Sequence, residues 1–483
     1  MLGLLGILIA LVLLMYLAYR GISVLITAPM MALVAVLFAG NMPILGSYTQ
    51  VFMRETGNFI ILYFPLFLLG AIFGKFMDDS GSAQAISQWA VKMFGHERSI
   101  LVIVLSCAVL TYGGVSLFVV AFAIFPIAQT LFRDNGLPKR IIPGAVALGA
   151  FSFTMTALPG TPAIQNAIPM PFFGTTPFAA PILGIIAAII MFILGMLWLE
   201  WRLRAAQARG EGYGAHEDVL PKADKRLREC AEGEGFDIVE LNEKPVPVGE
   251  PRFFTALLPI ILVISLNYLF SKRIFPAMNT EFLALPQFGA TDIAAVNGIW
   301  SIIAALVISI LVLILLNLRR FSNFTESLDS GANASVLPIF NTASLVGFGA
   351  IIASLPGFDI VRSGVIDLGG ENPLVSLALS VSILAGITGS ASGGMSIALQ
   401  TMGSTFADMA QASGISLDLM HRITAVASGG LDVLPQNGAV ITLLAICNLT
   451  HRESYADIFM VGVVAPIIAL VALIILGTLF GSF

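Results

Sequence analysis

Thr156-Ala157-Leu158-Pro159-Gly160-Thr161-Pro162-Ala163-Ile164-Gln165-Asn166 is a helix-breaking, polar stretch between two strongly apolar runs. Pro159 and Pro162 each remove a backbone donor and clash with the preceding turn, and they bias Leu158 and Thr161 away from helical dihedrals. A break is therefore expected. In hydrocarbon an unwound backbone survives only where protein or a watery cavity surrounds it, so a break at membrane depth points to a binding site. The signal returns as Ser428-Gly429-Gly430-Leu431-Asp432-Val433-Leu434-Pro435-Gln436-Asn437-Gly438. Two such breaks suggest architecture rather than accident.

Working outward, the chain is 57% hydrophobic and 11% charged over 483 residues, against roughly 25% charged in soluble domains. Apolar runs near 4–19, 22–40, 57–77, 178–200, 253–271, 296–318 and 458–480 approach the ~20 residues a spanning helix needs. The run from Met1 to Leu17 lacks a basic start and a cleavage site, and Arg20 follows it, so an uncleaved first span is expected. Nucleic acid is excluded as a partner because no basic patch exists. Cys107, Cys230 and Cys447 are widely spaced and odd in number, which suggests neither a disulfide framework nor a metal site. No phosphate-binding loop, zinc motif or nucleophile elbow is present, so no cofactor is expected and enzymatic or ATP-driven readings lack their chemistry.

Between Trp201 and Arg252 lie nine Lys/Arg and eleven Asp/Glu, 20 of the chain's 24 + 29 = 53 charges. This reads as a solvated connector; the alternative, a folded regulatory domain, is short of apolar residues. It divides the chain into an N-terminal membrane repeat (1–200), the connector (201–252) and a C-terminal membrane repeat (253–483). Arg20, Lys75, Lys92, Arg98, Arg133, Lys139 and Arg140 fall at segment ends that share one side if 99–133 dips in and returns. The positive-inside tendency makes that side, and the connector, cytoplasmic.

The two halves resemble one another. Tyr112-Gly113-Gly114-Val115-Ser116 matches Ser392-Gly393-Gly394-Met395-Ser396, Arg140-Ile141 matches Arg422-Ile423, Leu158-Pro159 matches Leu434-Pro435, and Pro65-Leu66-Phe67 matches Pro338-Ile339-Phe340. The order is the same in both. An odd number of spans per half turns the second copy upside down, whereas two full spans over 99–133 would change the parity. The fold expected is all-α and polytopic: two inverted-topology repeats, each of about five spans plus a re-entrant hairpin and a broken helix.

Four polar nodes carry the chemistry. Two are glycine-rich (Thr111 to Ser116, and Thr388 to Ser396) and two are the breaks. If the glycine-rich nodes are hairpin tips, the helices after them start with unsatisfied N–H groups and a partial positive charge, which suits a carboxylate. Candidate substrate-binding residues are Tyr112, Gly113, Gly114, Ser116, Thr156, Gly160, Thr161, Gln165, Asn166, Ser392, Gly393, Gly394, Ser396, Gln436 and Asn437. The alternative for any one glycine is close helix packing. Asp432 lies inside an apolar run, where a charge costs roughly 2.5–3.5 kcal/mol on insertion scales, so it is the candidate for proton coupling, or a sodium ligand. His421 and Arg422 begin the same element and read as interfacial or anchoring residues, and Lys75, Asp78 and Asp79 read as a solvated helix end.

Gly70-Ala71-Ile72-Phe73-Gly74-Lys75-Phe76-Met77-Asp78-Asp79-Ser80-Gly81, Thr111-Tyr112-Gly113-Gly114-Val115-Ser116-Leu117-Phe118-Val119 and Thr154-Met155-Thr156-Ala157-Leu158-Pro159-Gly160-Thr161-Pro162 resemble the gluconate permease (GntP) family, within the wider ion transporter superfamily. The resemblance is tightest from about 60 to 200. It implies proton-coupled uptake of a small hydroxylated monocarboxylate (gluconate-like, D-serine-like or 3-hydroxybutyrate-like) across a bacterial inner membrane. It also implies a homodimer embedded in lipid, with a scaffold and a moving region. The superfamily's sodium-coupled carriers use Ser-Asn-Thr at the hairpin tips; Gly-Gly-x-Ser here argues against sodium. Pro169-Met170-Pro171 and the long connector resemble the branch associated with short-chain hydroxy acids. The competing classes are a passive small-anion channel and a sodium-coupled carboxylate carrier.

Overall fold

The structure is a computed structural model describing residues 2–482 except 21, 41, 215–248, 250, 371 and 436. Cys230, Gln436 and most of the charged connector lie outside the described residues. Among those described, no strand occurs, and the first half runs α1 (Leu2–Tyr19), α2 (Val24–Ala39), α3 (Ile44–Asp79), α4 (Ser82–Phe94), α5 (Ser99–Tyr112), α6 (Leu117–Asp134), α7 (Ile142–Ala150), α8 (Ile164–Ala167, resumed as Pro169–Phe173) and α9 (Pro181–Gln207). The second half runs α10 (Phe253–Ala277), α11 (Ile293–Asn317), α12 (Phe324–Ser354), α13 (Phe358–Gly369), α14 (Pro373–Thr388), α15 (Ala391–Ala412), α16 (Leu417–Ser428), α17 (Gly438–Ile446) and α18 (His451–Phe480).

Six of the described helices are long and apolar enough to cross a membrane, or seven if the bent pair α4–α5 is one span. The chain is an all-α polytopic membrane protein. Its surface follows from that. On α9 the exposed stripe Ile182, Ile185, Ile189, Ile193, Leu197, Trp201 recurs every three to four residues, while Gly184, Ala187, Met191, Gly195 and Leu199 face inward. A wholly apolar outer stripe is the pattern of a helix solvated by lipid. The first two expected spans are helices of 18 and 16 residues, at the short end for crossing.

Packing separates an outer set from an inner one. α1 packs on α2 and also touches α13 and α14, α2 and α3 pack with α12, and α10 and α11 pack with each other, α11 also reaching α3. Inside them lie two helical hairpins, α5–α6 and α14–α15, and the discontinuous pairs α7/α8 and α16/α17. The 14 residues of α5 rise only ~21 Å, less than the ~30 Å hydrocarbon core. A 115° bend precedes it. The first tip is Gly113 to Ser116, with Gly114 at φ +95°. The second is Gly389-Ser390, with Gly389 at φ +62°.

The equivalent helix starts are separated by 391 − 117 = 274 and 438 − 164 = 274 residues. The Leu-Pro match (434 − 158 = 276) and the Pro-x-Phe match (338 − 65 = 273) keep this register, but the glycine match (394 − 114 = 280) and the Arg-Ile match (422 − 140 = 282) run about two turns beyond it. Gly393 and Gly394 are therefore in the first turn of α15, not at the tip. Their reason is packing: a Cβ on Gly393 would overlap the Leu345 side chain, and one on Gly394 the Ala385 backbone. Asp78 and Asp79 likewise differ from the solvated helix end expected. They are buried, Asp79 facing Lys75 at 3.6 Å and Asp78 accepting from Gln84 at 3.2 Å.

Gly394→Val should separate α14 from α15 and cost at least about 1–3 kcal/mol, lowering the temperature at which detergent-solubilised protein loses its monodisperse size-exclusion peak. Gly70→Ala, whose added carbon meets nothing within 4 Å, should leave that temperature unchanged.

Candidate functional site

Each discontinuous helix frees backbone carbonyls that water would otherwise satisfy. In the first break α7 ends at Ala150, Phe153–Thr156 makes a single turn, and the chain is irregular from 157 to 163, with Gly160 at φ +80°. Tyr112 Oη donates to Pro159 O at 2.7 Å, and Asn267 Nδ2 to Gly160 O at 3.0 Å. Asn166 Nδ2 donates to Thr161 O (3.1 Å) and Pro177 O (2.9 Å). In the second break Asn437 Nδ2 donates to Gly389 O of the second tip at 2.7 Å, while its Oδ1 caps α17 by accepting from Ala439 N (2.6 Å) and Val440 N (3.2 Å). Tyr455 Oη donates to Val433 O at 3.2 Å, and His451 Nε2 bonds Pro435 O at 2.9 Å.

Tips and breaks meet at one cavity of about 50 Å³, room for roughly four waters. The first half supplies Leu117, Phe151, Met155 and Gln165; the second supplies Ser390, Ala391, Ser392, Asp432, Val433, Asn437 and Ala439. Three helices of nine residues or more, α6, α15 and α17, begin at its wall. Each start carries a partial charge of about +0.5. Ser390 Oγ caps α15 by accepting from Gly393 N at 3.2 Å, and Ser392 lies within 3.4 Å of both Ser390 and Thr342 hydroxyls. Uncharged donors and acceptors, converging helix starts and one carboxylate, Asp432, make a polar chamber suited to a small anion.

Of the residues expected from sequence, Gln165, Ser392, Asp432 and Asn437 line the cavity. Gln436 lies outside the described residues, and the remaining ones lie outside the cavity lining. Thr156 Oγ1 donates to Ser152 O. Thr161 and Asn166 are fully buried in the first break. A Cβ on Gly113 would meet Ile260, one on Gly114 would meet Pro162 at 2.6 Å, and one on Gly160 the Phe178 ring. Tyr112 precedes the first tip and Ser116 ends it, and Ser396 is buried one turn past Ser392 on α15. Ser390, Phe151 and Met155 are lining residues that sequence reasoning passed over; Ser390 sits where the tip falls once α15 is known to start at Ala391.

His421 and Arg422 are not at a span's end. Both are completely buried in the middle of α16. His421 Nε2 faces Asn166 Oδ1 at 3.2 Å, and Nδ1 faces Thr175 Oγ1 at 2.6 Å. Because the Asn166 amide nitrogen already donates twice, its oxygen accepts from Nε2–H, and the Thr175 hydroxyl pairs with Nδ1.

A second polar centre lies where α7, α9 and α18 meet. Asp457, fully buried, accepts from Arg202 Nε (2.7 Å) and Trp198 Nε1 (3.0 Å) and faces Arg140 at 3.6 Å. Arg140 also donates to Glu211 through Nε (2.5 Å) and Nη2 (2.9 Å). That bidentate bond holds the Glu211 carboxyl below the usual carboxylate range. Two acids facing two arginines make the group neutral.

Broken helices meeting hairpin tips around a polar chamber, on an all-α polytopic frame, define a membrane transporter. The chain is 46% identical over 474 residues to the uncharacterized transporter YxjC of Bacillus subtilis (strain 168), covering 97% of this chain and 98% of the relative. It belongs to that transporter family, which is not a family of enzymes. No family model matches the sequence.

Glu211 has a folded-state pKa depressed below its unfolded value, so its stabilising effect is complete above the unfolded value of about 4.3 and is lost as pH falls through the lower folded value. The thermal stability of the wild type relative to Glu211→Gln should be constant from pH 8 to 6 and shrink progressively once the pH falls below the unfolded value of about 4.3. Asp457→Asn, leaving two arginines without their buried carboxylate, should cost about 3–5 kcal/mol and be read as loss of folded protein in detergent.

Proposed function

We propose that this protein is a secondary active symporter carrying a small hydroxylated monocarboxylate, 3-hydroxybutyrate or a similar acid, together with a proton across a bacterial inner membrane. The observation that carries this reading is the convergence of three helix starts and Asp432 on one small chamber. The helix starts favour a carboxylate. Ser390, Ser392, Gln165 and Asn437 offer partners for both the carboxylate and a hydroxyl. The sequence resemblance to gluconate permeases supports the substrate class and the coupling, and the transporter relative supports transport.

Coupling then follows from electrostatics. Two carboxylates about 5 Å apart at an effective dielectric of ~20 repel by about 3 kcal/mol, which protonation of Asp432 removes. Anion and proton therefore favour each other's binding by roughly a hundredfold. In this reading the two halves sit in the membrane in opposite senses, the connector is cytoplasmic, and the hairpins and broken helices move as a unit against α1–α3 and α10–α12 of a homodimer.

Purified protein in proteoliposomes should accumulate labelled 3-hydroxybutyrate under an inward proton gradient and not under an inward sodium gradient, with lactate and gluconate competing better than citrate. Equilibration without accumulation would identify a channel instead. Asp432→Asn should abolish proton-driven accumulation while retaining substrate counterflow; unchanged accumulation would remove Asp432 from the coupling step.

A further inference from the structure

We infer that Arg422 is a positioning residue for the chamber: from the second half of the chain it holds the first break in the shape that presents Gln165. Its guanidinium is fully buried and donates to Ala179 O from Nε (3.2 Å) and Nη2 (2.9 Å), to Thr156 O from Nη1 (3.4 Å) and to Pro177 O from Nη2 (3.5 Å). Thr156 enters the break, whereas Pro177 and Ala179 lie beyond α8, in the stretch that leads to α9. One rigid fork therefore joins the start of the break to the stretch that follows α8.

Pro177 O is where these bonds converge, since it also accepts from Gly160 N (2.8 Å) and Asn166 Nδ2 (2.9 Å). Asn166 is tied to His421, the neighbour of Arg422, and adjoins Gln165 in the chamber wall. Space for the fork comes from Gly184 on α9, where a Cβ would lie 3.1 Å from Arg422 Nε and overlap Ala157 O. Among the described residues no carboxylate pairs with Arg422. A buried cation with no carboxylate in contact, Asp418 on the same helix acting on it only through space, is a costly way to fill space, and its planar array of donors is what a bundle of carbonyls requires. A lysine has one ammonium on a flexible stem and cannot reach both stretches at once.

The kinetic consequence rests on the transport reading; the structural one does not. The structural test uses the full chain with Cys230→Ser, in which Cys107 and Cys447 are buried, carrying either Gln165→Cys in the chamber or Val381→Cys, buried in α14, as a reporter. Adding Arg422→Lys should speed maleimide labelling of the first reporter at least tenfold and leave the second protected. Unchanged labelling of Gln165→Cys would overturn the inference. So would equal acceleration at both reporters, because Arg422 would then be holding the whole fold rather than the break. With Gln165 intact, Arg422→Lys should raise the KM for 3-hydroxybutyrate at least tenfold with a smaller change in maximal rate; a fall in maximal rate alone would contradict positioning. If no uptake occurs even in the wild type, the labelling outcome still decides the placement of the break.

Discussion

Backbone carbonyls that leave a helix inside a membrane have no water to turn to, and this protein answers them with side chains from distant parts of the chain. In the first break Tyr112, Asn166, Asn267 and Arg422 supply the donors; in the second Asn437, Tyr455 and His451 do so. An unpaired polar group in such surroundings costs a few kcal/mol, so each donor is required by the break it serves. Donors come from hairpin tips and from the opposite half, so satisfying the breaks also assembles the chamber. The polar site and the fold are one construction.

The same economy explains what the sequence disclosed and what it concealed. Pro159, Gly160 and Pro162 announce the first break because their effect on the backbone is local, and Leu434-Pro435 announces the second. Membrane class follows from composition alone. The exact tips were concealed because a glycine serves two purposes: Gly114 and Gly389 permit positive φ, while Gly393 and Gly394 remove a side chain where α15 meets α12 and α14. Both look alike as letters, and the more conspicuous pair drew the alignment about two turns past the helix register.

Long-range partners were concealed for a different reason. His421 and Arg422 begin a polar-to-apolar transition, which resembles a helix end in contact with headgroups, and only the position of Thr175, Pro177 and Ala179 some 240 residues earlier reveals them as interior residues. Asp457 is similar. It falls just before the apolar run 458–480, and nothing local in the sequence points to Arg140, Trp198 and Arg202, which converge on it. Gln165, Ser392, Asp432 and Asn437 were legible because a polar residue beside a break has few reasons to be there other than a site.

Whether the four nodes form a single substrate chamber is tested most directly by substrate protection of a cysteine in its wall. In a Cys230→Ser background, maleimide modification of Ala439→Cys, at the start of α17, should slow in proportion to 3-hydroxybutyrate occupancy. Modification of a cysteine at Ile185, on the lipid-facing stripe of α9, should not. Modification of Ala439→Cys at an unchanged rate, in the presence of a monocarboxylate that the same protein transports, would place the binding site elsewhere and contradict the account.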